Sequence, residues 1–311
     1  MSGSTDRSPV EWPTVTAIIP TRNRPKLMRR ALQRVLEQRY PGAIECLVVF
    51  DQQTPELPEL DVPPDRSVRG IPNTRTPGLA GSRNSGALEA QGTLLAFCDD
   101  DDEWMRDKIR LQVDALRQHP DASAATCGIT VVTGRRTVPR VPPAELVSLE
   151  HFTTSRRMEV HSSTLMMERS RFLGDIGPID ESIPGSYGED YDWILRAAAA
   201  GPLVAVQRPL VRVHWQTSYF SDRWAMIIPA LHYQLEKHPE LAREPRNLAR
   251  MYGRLAFAHA ALGQSSEARA WATRSLRLDW RQPRGYLSYL VTLGVPARLI
   301  QRMVNATGRG V

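Results

Sequence analysis

Cysteine is scarce in this chain. The three residues, Cys46, Cys98 and Cys127, are odd in number and show no Cys-x-x-Cys spacing. They offer no thiolate metal site, and two of them sit inside apolar runs where a reduced, buried thiol is the ordinary state. A reducing, cytoplasmic setting fits. Long apolar runs are also missing. No stretch reaches the roughly 18 residues that a spanning helix needs, so none is expected. The opening residues, MSGSTDRSPVEWP, are polar and lack the apolar segment of a secretory signal. No dense basic tail and no nucleic-acid module stand out, although the net charge is +6. Nucleic acid is therefore not the expected partner. The charge suits a nucleotide, a lipid phosphate or a membrane surface.

What is present is ample material for a core. Of 311 residues, 41% are hydrophobic and 24% charged, which suits one large folded domain or two. Residues 1–13 read as a loose lead-in. VTAIIP, at 15–20, is a short apolar run stopped by proline, as a buried strand would be. In the next segment Leu27, Met28, Ala31, Leu32, Val35 and Leu36 recur at helical spacing behind Pro25. IECLVVF reads as a second strand ending at Asp51, with a short strand near Val68 after a proline-rich stretch. LAGSRNSGALEAQG reads as a helix, TLLAFC as a strand and DEWMRDKIRLQVDALRQHP as a helix. Such alternation predicts an α/β fold with a mainly parallel sheet. Ligands in such sheets bind beyond the carboxyl ends of strands, where Asp51 and the run Asp99, Asp100, Asp101 and Asp102 fall.

After His119 the expected elements are strands at SAATCGITVVT and VHSSTLMMERSRF, a loop running into the helix around WILRAAAAG, and one or two strands in PLVAVQRPLVRVHW. From Ser221 onward the sequence reads as helical. Two blocks of small and apolar residues flank Gly263, like one tetratricopeptide-type hairpin appended as a helical region over 221–311.

Four adjacent aspartates after an apolar strand repel one another unless a cation sits among them. Mg²⁺ and Mn²⁺ take oxygen ligands, commonly only one or two carboxylates with phosphates and waters besides. Side chains alternate along an extended chain, so Asp99 and Asp101 face one side, and Asp102 can cap the following helix. A second acidic group, Glu189, Asp190 and Asp192, precedes a helix, where a carboxylate could act as a general base. His214, at the end of an expected strand, is a further candidate metal ligand.

Three stretches taken in order carry a resemblance: VTAIIPTRNRPKLMRRALQRVLEQRYPGAIECLVVFDQ, GLAGSRNSGALEAQGTLLAFCDDDDEW and IDESIPGSYGEDYDWILRAAAAG. Over about residues 14–216 the chain resembles a family 2 glycosyltransferase of the GT-A fold. The resemblance implies a Rossmann-like mixed sheet flanked by helices over 14–220, with the helical extension following. It also implies that Pro20, Thr21 and Arg22 embrace the nucleotide and that Asp51 lies near the base. Arg83 and Asn84 match the family's Arg-Asn pair. Asp99 and Asp101 match the two acids of the DxD motif, with Asp100 between them on the donor side. Asp101 is then the direct metal ligand and Asp99 lies nearer the ribose. Asp190, with Glu189 beside it, matches the base, and His214 matches a histidine that approaches the metal or diphosphate.

The expected activity is a single, inverting transfer from a UDP-linked sugar to a hydroxyl acceptor, with Mn²⁺ or Mg²⁺. The second strand ends VVFDQQ rather than in the two acids and Gly-Ser of many members, and no processive QxxRW motif follows. Residues 218–224 are a candidate closing loop. The basic charge and the segment YLSYLVTLGVPARLIQRM leave room for peripheral contact with the inner membrane face. Two other readings compete. One is a sugar-phosphate nucleotidyltransferase, which usually carries a glycine-rich loop where this chain has PTRNRP. The other is a non-catalytic nucleotide- or partner-binding module.

Overall fold

The computed structural model describes residues 11–134, 136–214 and 223–306. At its centre, β1 (Val15–Thr21) and β2 (Ile44–Phe50) bury every side chain. Apolar, β-branched residues on both faces suit parallel strands covered on both sides. The two pair in parallel, Val15 opposite Ile44 and Thr21 opposite Phe50. β3 (Arg66–Pro72) extends the sheet parallel to β2, and β4 (Leu94–Phe97) runs parallel to β1 on its other side.

Beyond β4 the sheet becomes mixed. β9 (Met166–Glu168) lies antiparallel between β4 and β6 (Ala124–Thr133). β10 (Leu203–His214) is parallel to β6, and β5 (Glu103–Trp104) closes the edge antiparallel to β10. The full order is β3-β2-β1-β4-β9-β6-β10-β5. Two short strands, β7 (Arg136–Arg140) and β8 (Leu146–Val147), pair with β6 and β10.

Helices cover both faces. α1 (Pro25–Leu36) starts on its proline and turns Met28, Ala31, Leu32, Val35 and Leu36 inward, the stripe its sequence predicts. α3 (Lys108–Gln118) completes that layer through Ile109 and Val113. The opposite layer holds α2 (Leu79–Glu89), α4 (Leu149–Thr154), α5 (Arg169–Leu173) and α6 (Glu189–Ala200). α2 packs unusually close because its inner face is small. A Cβ on Gly86 would lie 2.5 Å from Ile18 Cγ2. That proximity is what carries Arg83 and Asn84 into the interior.

One expected strand differs. The one over VHSSTLMMERSRF shrinks to β9. Thr164 Oγ1 donates to the His161 carbonyl at 2.7 Å and accepts from the His161 N–H at 3.1 Å, closing a turn instead. Hydroxyls offering the backbone such local partners commonly interrupt a strand. Of the one or two strands expected in PLVAVQRPLVRVHW there is one, β10, whose register shifts on either side of Pro209, a residue with no N–H for the ladder.

The remaining helices are α7 (Trp224–Lys237), α8 (Pro245–Ala261), α9 (Ser265–Leu278), α10 (Pro283–Thr292) and α11 (Ala297–Ala306). α8 and α9 form a hairpin around Gly263, whose φ is +77°. Ile227 and Leu231 of α7 share a core with Met251, Leu255 and Ala258 of α8. Gln234 of α7 donates to the carbonyls of Tyr187 and Gly188 at 3.0 and 3.1 Å, joining this bundle to the start of α6. None of the described helices is long and apolar enough to cross a membrane.

Candidate active site

The carboxyl ends of β1, β2 and β4 open on one edge of the sheet, and the acids gather there. Asp99 follows β4. Its backbone N–H donates to Ser163 Oγ at 2.9 Å and its Oδ2 accepts from Ser162 Oγ at 2.9 Å. Its Oδ1 lies 2.5 Å from Arg83 Nη2. Arg83 is 1% exposed, and its other terminal nitrogen pairs with Glu189 at the first turn of α6. One buried guanidinium thus spans the acid run and the acidic helix start. Burial pushes Asp99 up, but Arg83, His161 and Ser162 outweigh it and hold its carboxyl below the usual range. Burial, with Asp190 and Asp99 nearby, raises Glu189 to about 7 despite its ion pair.

Asp100 accepts from Thr21 Oγ1 at 2.8 Å. Arg24 Nη1 bridges Asp100 and Asp101 at 3.2 and 3.1 Å, so a guanidinium holds the outer pair together. Burial and the neighbouring Asp101 push Asp100 up to about 6. Asp102 is buried, and desolvation, Asp99 and Asp101 drive its carboxyl well above the usual range. Ligand atoms of Asp99, Asp102 and His161 all lie within 4.8 Å of one another. His161 Nε2 is buried and, among the described residues, lacks a hydrogen-bond partner. An unsatisfied imidazole nitrogen beside two crowded carboxylates fits a divalent cation, and a mixed oxygen and nitrogen donor set suits Mn²⁺.

Asp51 ends β2 as expected. Its Oδ1 accepts from Asn73 at 2.9 Å and from the Gly78 N–H at 3.1 Å, and Arg22 Nη1 lies 3.6 Å from Oδ2. Pro20 pairs with Val49 inside the sheet. Asn84 is engaged within the fold: it donates to the Ile179 carbonyl at 2.8 Å and to Glu181 at 2.7 Å, and accepts from the Ile179 N–H at 2.9 Å. It pins the segment leading to α6 and is positioned for support rather than ligand contact. Asp190 lies 3.7 Å from Arg156, with 18% of its side chain exposed, against 4% for Glu189. Of the two, Asp190 is the more exposed. Asp192 faces inward to Lys237 and His238, each at 2.7 Å. His214 Nε2 lies 2.9 Å from Glu103 Oε1.

Sequence reasoning missed Arg24, Arg156, His161, Ser162 and Ser163. His-Ser-Ser-Thr is a turn-forming cluster, and reading it as a turn would have placed its polar groups near a strand end. Residues 218–222 of the candidate closing loop lie outside the described residues, while Trp224 packs on Phe257 with ring centroids 5.4 Å apart.

The model of glycosyl transferase family 2 matches residues 16–171, half of the chain and every acid of the β4 run. The chain belongs to that family. The chain is 28% identical over 213 residues to the succinoglycan biosynthesis protein ExoO of Rhizobium meliloti, the match covering 63% of this chain and 58% of that one. It is 29% identical over 104 residues to WfgD of Escherichia coli, named a UDP-Glc:alpha-D-GlcNAc-diphosphoundecaprenol beta-1,3-glucosyltransferase; the match covers 33% of this chain and 40% of that one. The chain thus spans less than two thirds of the length of these relatives. Among solved structures, Staphylococcus aureus TarS 1–349 in complex with UDP-GlcNAc superposes with a TM-score of 0.58 at 16% identity, over 90% of this chain and 88% of that one. The mannosyltransferase PcManGT of Pyrobaculum calidifontis, in complex with GDP-Man and Mn²⁺, gives 0.55 at 18% identity, over 93% and 87%. These likenesses show the transferase fold.

Proposed function

We propose that this transferase moves one sugar per encounter from a UDP-linked donor to an acceptor hydroxyl, with inversion at the anomeric carbon. The observation that carries the reading is the Arg83 bridge. It fixes the acids after β4 beside the helix that presents Asp190. The UDP base is supported by TarS with UDP-GlcNAc and by the name of WfgD.

In this reading Pro20, Thr21, Arg22 and Asp51 line the nucleotide pocket. Asp51 is held by Asn73 and Gly78, and Arg22, 44% exposed, rests on Gln52 and Asp51 at the mouth, from where its guanidinium can turn toward a base or phosphate. Asp99, tied to Arg83 and Ser162, is oriented for the ribose side of the donor, with Asp100 next to it. The donors that would hold a divalent cation are Asp99, Asp102 and His161, whose ligand atoms lie together, and the Asp101 and His214 that the family resemblance implies. When bound, Mn²⁺ or Mg²⁺ supplies positive charge for a diphosphate leaving group. Asp190 takes the proton of the acceptor hydroxyl as its oxygen bonds to the anomeric carbon. The bond from that carbon to the diphosphate oxygen breaks, and its electron pair leaves with the nucleoside diphosphate. Attack and departure on opposite faces invert the centre.

The C-terminal helices expose Trp280, Tyr286, Leu290, Leu293, Leu299 and Met303 among Arg281, Arg298 and Arg302. That composition supports peripheral attachment at the inner face of a membrane. A thermal-shift panel of UDP-, GDP- and other nucleotide sugars, with and without Mn²⁺, tests the donor assignment. Stabilisation by UDP compounds that requires Mn²⁺ is expected; an unmoved melting temperature across the panel refutes it.

A further inference from the structure

A cavity of about 250 Å³ opens at the β5 edge of the sheet, lined by Arg34, Glu103, Trp104, Met105, Arg106 and Arg212. None of the four aspartates after β4 lines it. Its arginines come from three segments: Arg34 from α1, Arg106 from the turn after β5, and Arg212 from β10. Trp104 is buried in its wall, while Met105 is 43% exposed.

The one carboxylate in the lining is already taken. Glu103 lies 2.9 Å from His214 Nε2, 3.3 Å from Arg34 Nε and 3.5 Å from Arg30 Nε. Arg212 stands directly opposite Glu103 in the β5–β10 register, where a cross-strand ion pair would be ordinary. Among the described residues Arg212 makes no ion pair, because Glu103 is turned to the other three groups. Glu37 lies 3.0 Å from Arg34 and 3.8 Å from Arg106. Arg30, Arg34, Arg106 and Arg212 therefore share Glu37 and Glu103, which leaves two positive charges in excess. A lone exposed arginine is normal on a surface. Three that line one cavity from three segments repel one another, and an anion between them relieves that repulsion.

We propose that this cavity binds the phosphate group of a small ester, either free or carried as a lipid headgroup, through Arg34, Arg106 and Arg212. The guanidinium fork matches phosphate oxygens in geometry and charge. Pockets for drug-sized ligands run from about 300 to 1,000 Å³, so a cavity of about 250 Å³ suits a small phosphate ester and not a second nucleotide sugar. Met105 offers the ester's carbon chain an apolar contact. The site shares no residue with the donor pocket and does not depend on which donor the transferase uses.

Calorimetric titration of the full chain with glycerol 3-phosphate, inorganic phosphate and glycerol, with and without saturating UDP and Mg²⁺, tests it. Both phosphates are expected to bind, equally well with and without UDP, and glycerol is expected not to bind. The double variant Arg106→Gln, Arg212→Gln is expected to weaken both phosphates by at least about ten-fold, with Arg212→Lys intermediate. Both residues are exposed, so circular dichroism should be unchanged; if the pair does not fold, Arg212→Gln alone carries the comparison. Sedimentation with vesicles of phosphatidylglycerol, against phosphatidylcholine alone, separates the two sources. Once free phosphate binds, sedimentation that the double variant weakens assigns a headgroup, and sedimentation that is absent or unaltered assigns a free ester. No phosphate binding, glycerol binding as tightly as its phosphate, displacement by UDP, or affinity unchanged in the variants would each overturn the proposal.

Discussion

Replacing Arg83 with methionine removes the guanidinium that spans Asp99 and Glu189 while filling similar space. Arg83 is 1% exposed, and the Glu189 side chain 4%. Breaking a buried ion pair from one side costs about 3–5 kcal/mol, because the remaining charge keeps its desolvation penalty. Two carboxylates are stranded, but neither loses everything. The Asp99 side chain is 26% exposed and keeps Ser162, and Glu189, already raised to about 7, can escape by binding a proton. The loss should therefore sit near 3 kcal/mol at pH 6 and move toward 5 kcal/mol at pH 8, where protonating Glu189 costs more. Urea unfolding followed by tryptophan fluorescence reads this directly. With a slope of about 3 kcal/mol per molar, the midpoint falls by about 1 M at pH 6 and further at pH 8. A midpoint within about 0.2 M of wild type at both pH values would refute the bridge as a structural element.

Three further outcomes follow from buried charge. Burial raises Asp192, but His238, Lys237 and Arg196 overcome it and hold the carboxyl at about 2. A depressed acid adds stability that is complete above its unfolded value near 4 and is lost as pH falls toward 2. That contribution is about 2 kcal/mol, so Asp192→Asn should be less stable at pH 6 by denaturant titration and converge with wild type near pH 2. Lys108 is buried, bonded to Gln112 at 2.7 Å and set 3.9 Å from the Trp104 ring centre, and burial lowers it to about 8. The fold therefore binds this proton less readily than the unfolded chain does, so the stability of wild type relative to Lys108→Met should rise between pH 8 and 10.5, the buried thiols being common to both. In manganese titrations followed by electron paramagnetic resonance with UDP present, Asp101→Asn and His161→Ala should each weaken the ion by at least about ten-fold. Unaltered affinity in both would remove the β4 end as the metal site.

Much of the fold was legible because its central strands are short apolar runs and its α1 stripe repeats at helical spacing. β5, β7 and β8 were not, since paired edges of two to five residues leave no periodicity to read. The acids of the site were legible as types: Asp51, Asp99 and Asp190 sit at element ends where sheet topology places ligands. Their partners were not. Arg24 reaches Asp100 and Asp101 across 76 and 77 residues, and Arg83 reaches Glu189 across 106. The partners of Asn84 were equally hidden: its amide bonds to the backbone of Ile179, 95 residues away.

The most direct measurement is nucleoside diphosphate release from purified chain and a panel of nucleotide sugars, with Mn²⁺ and then with excess chelator. The account predicts release from a UDP-sugar that stops on chelation and falls by about 10²-fold or more in Asp190→Asn. No release from any nucleotide sugar, or parental turnover in that variant, would contradict it.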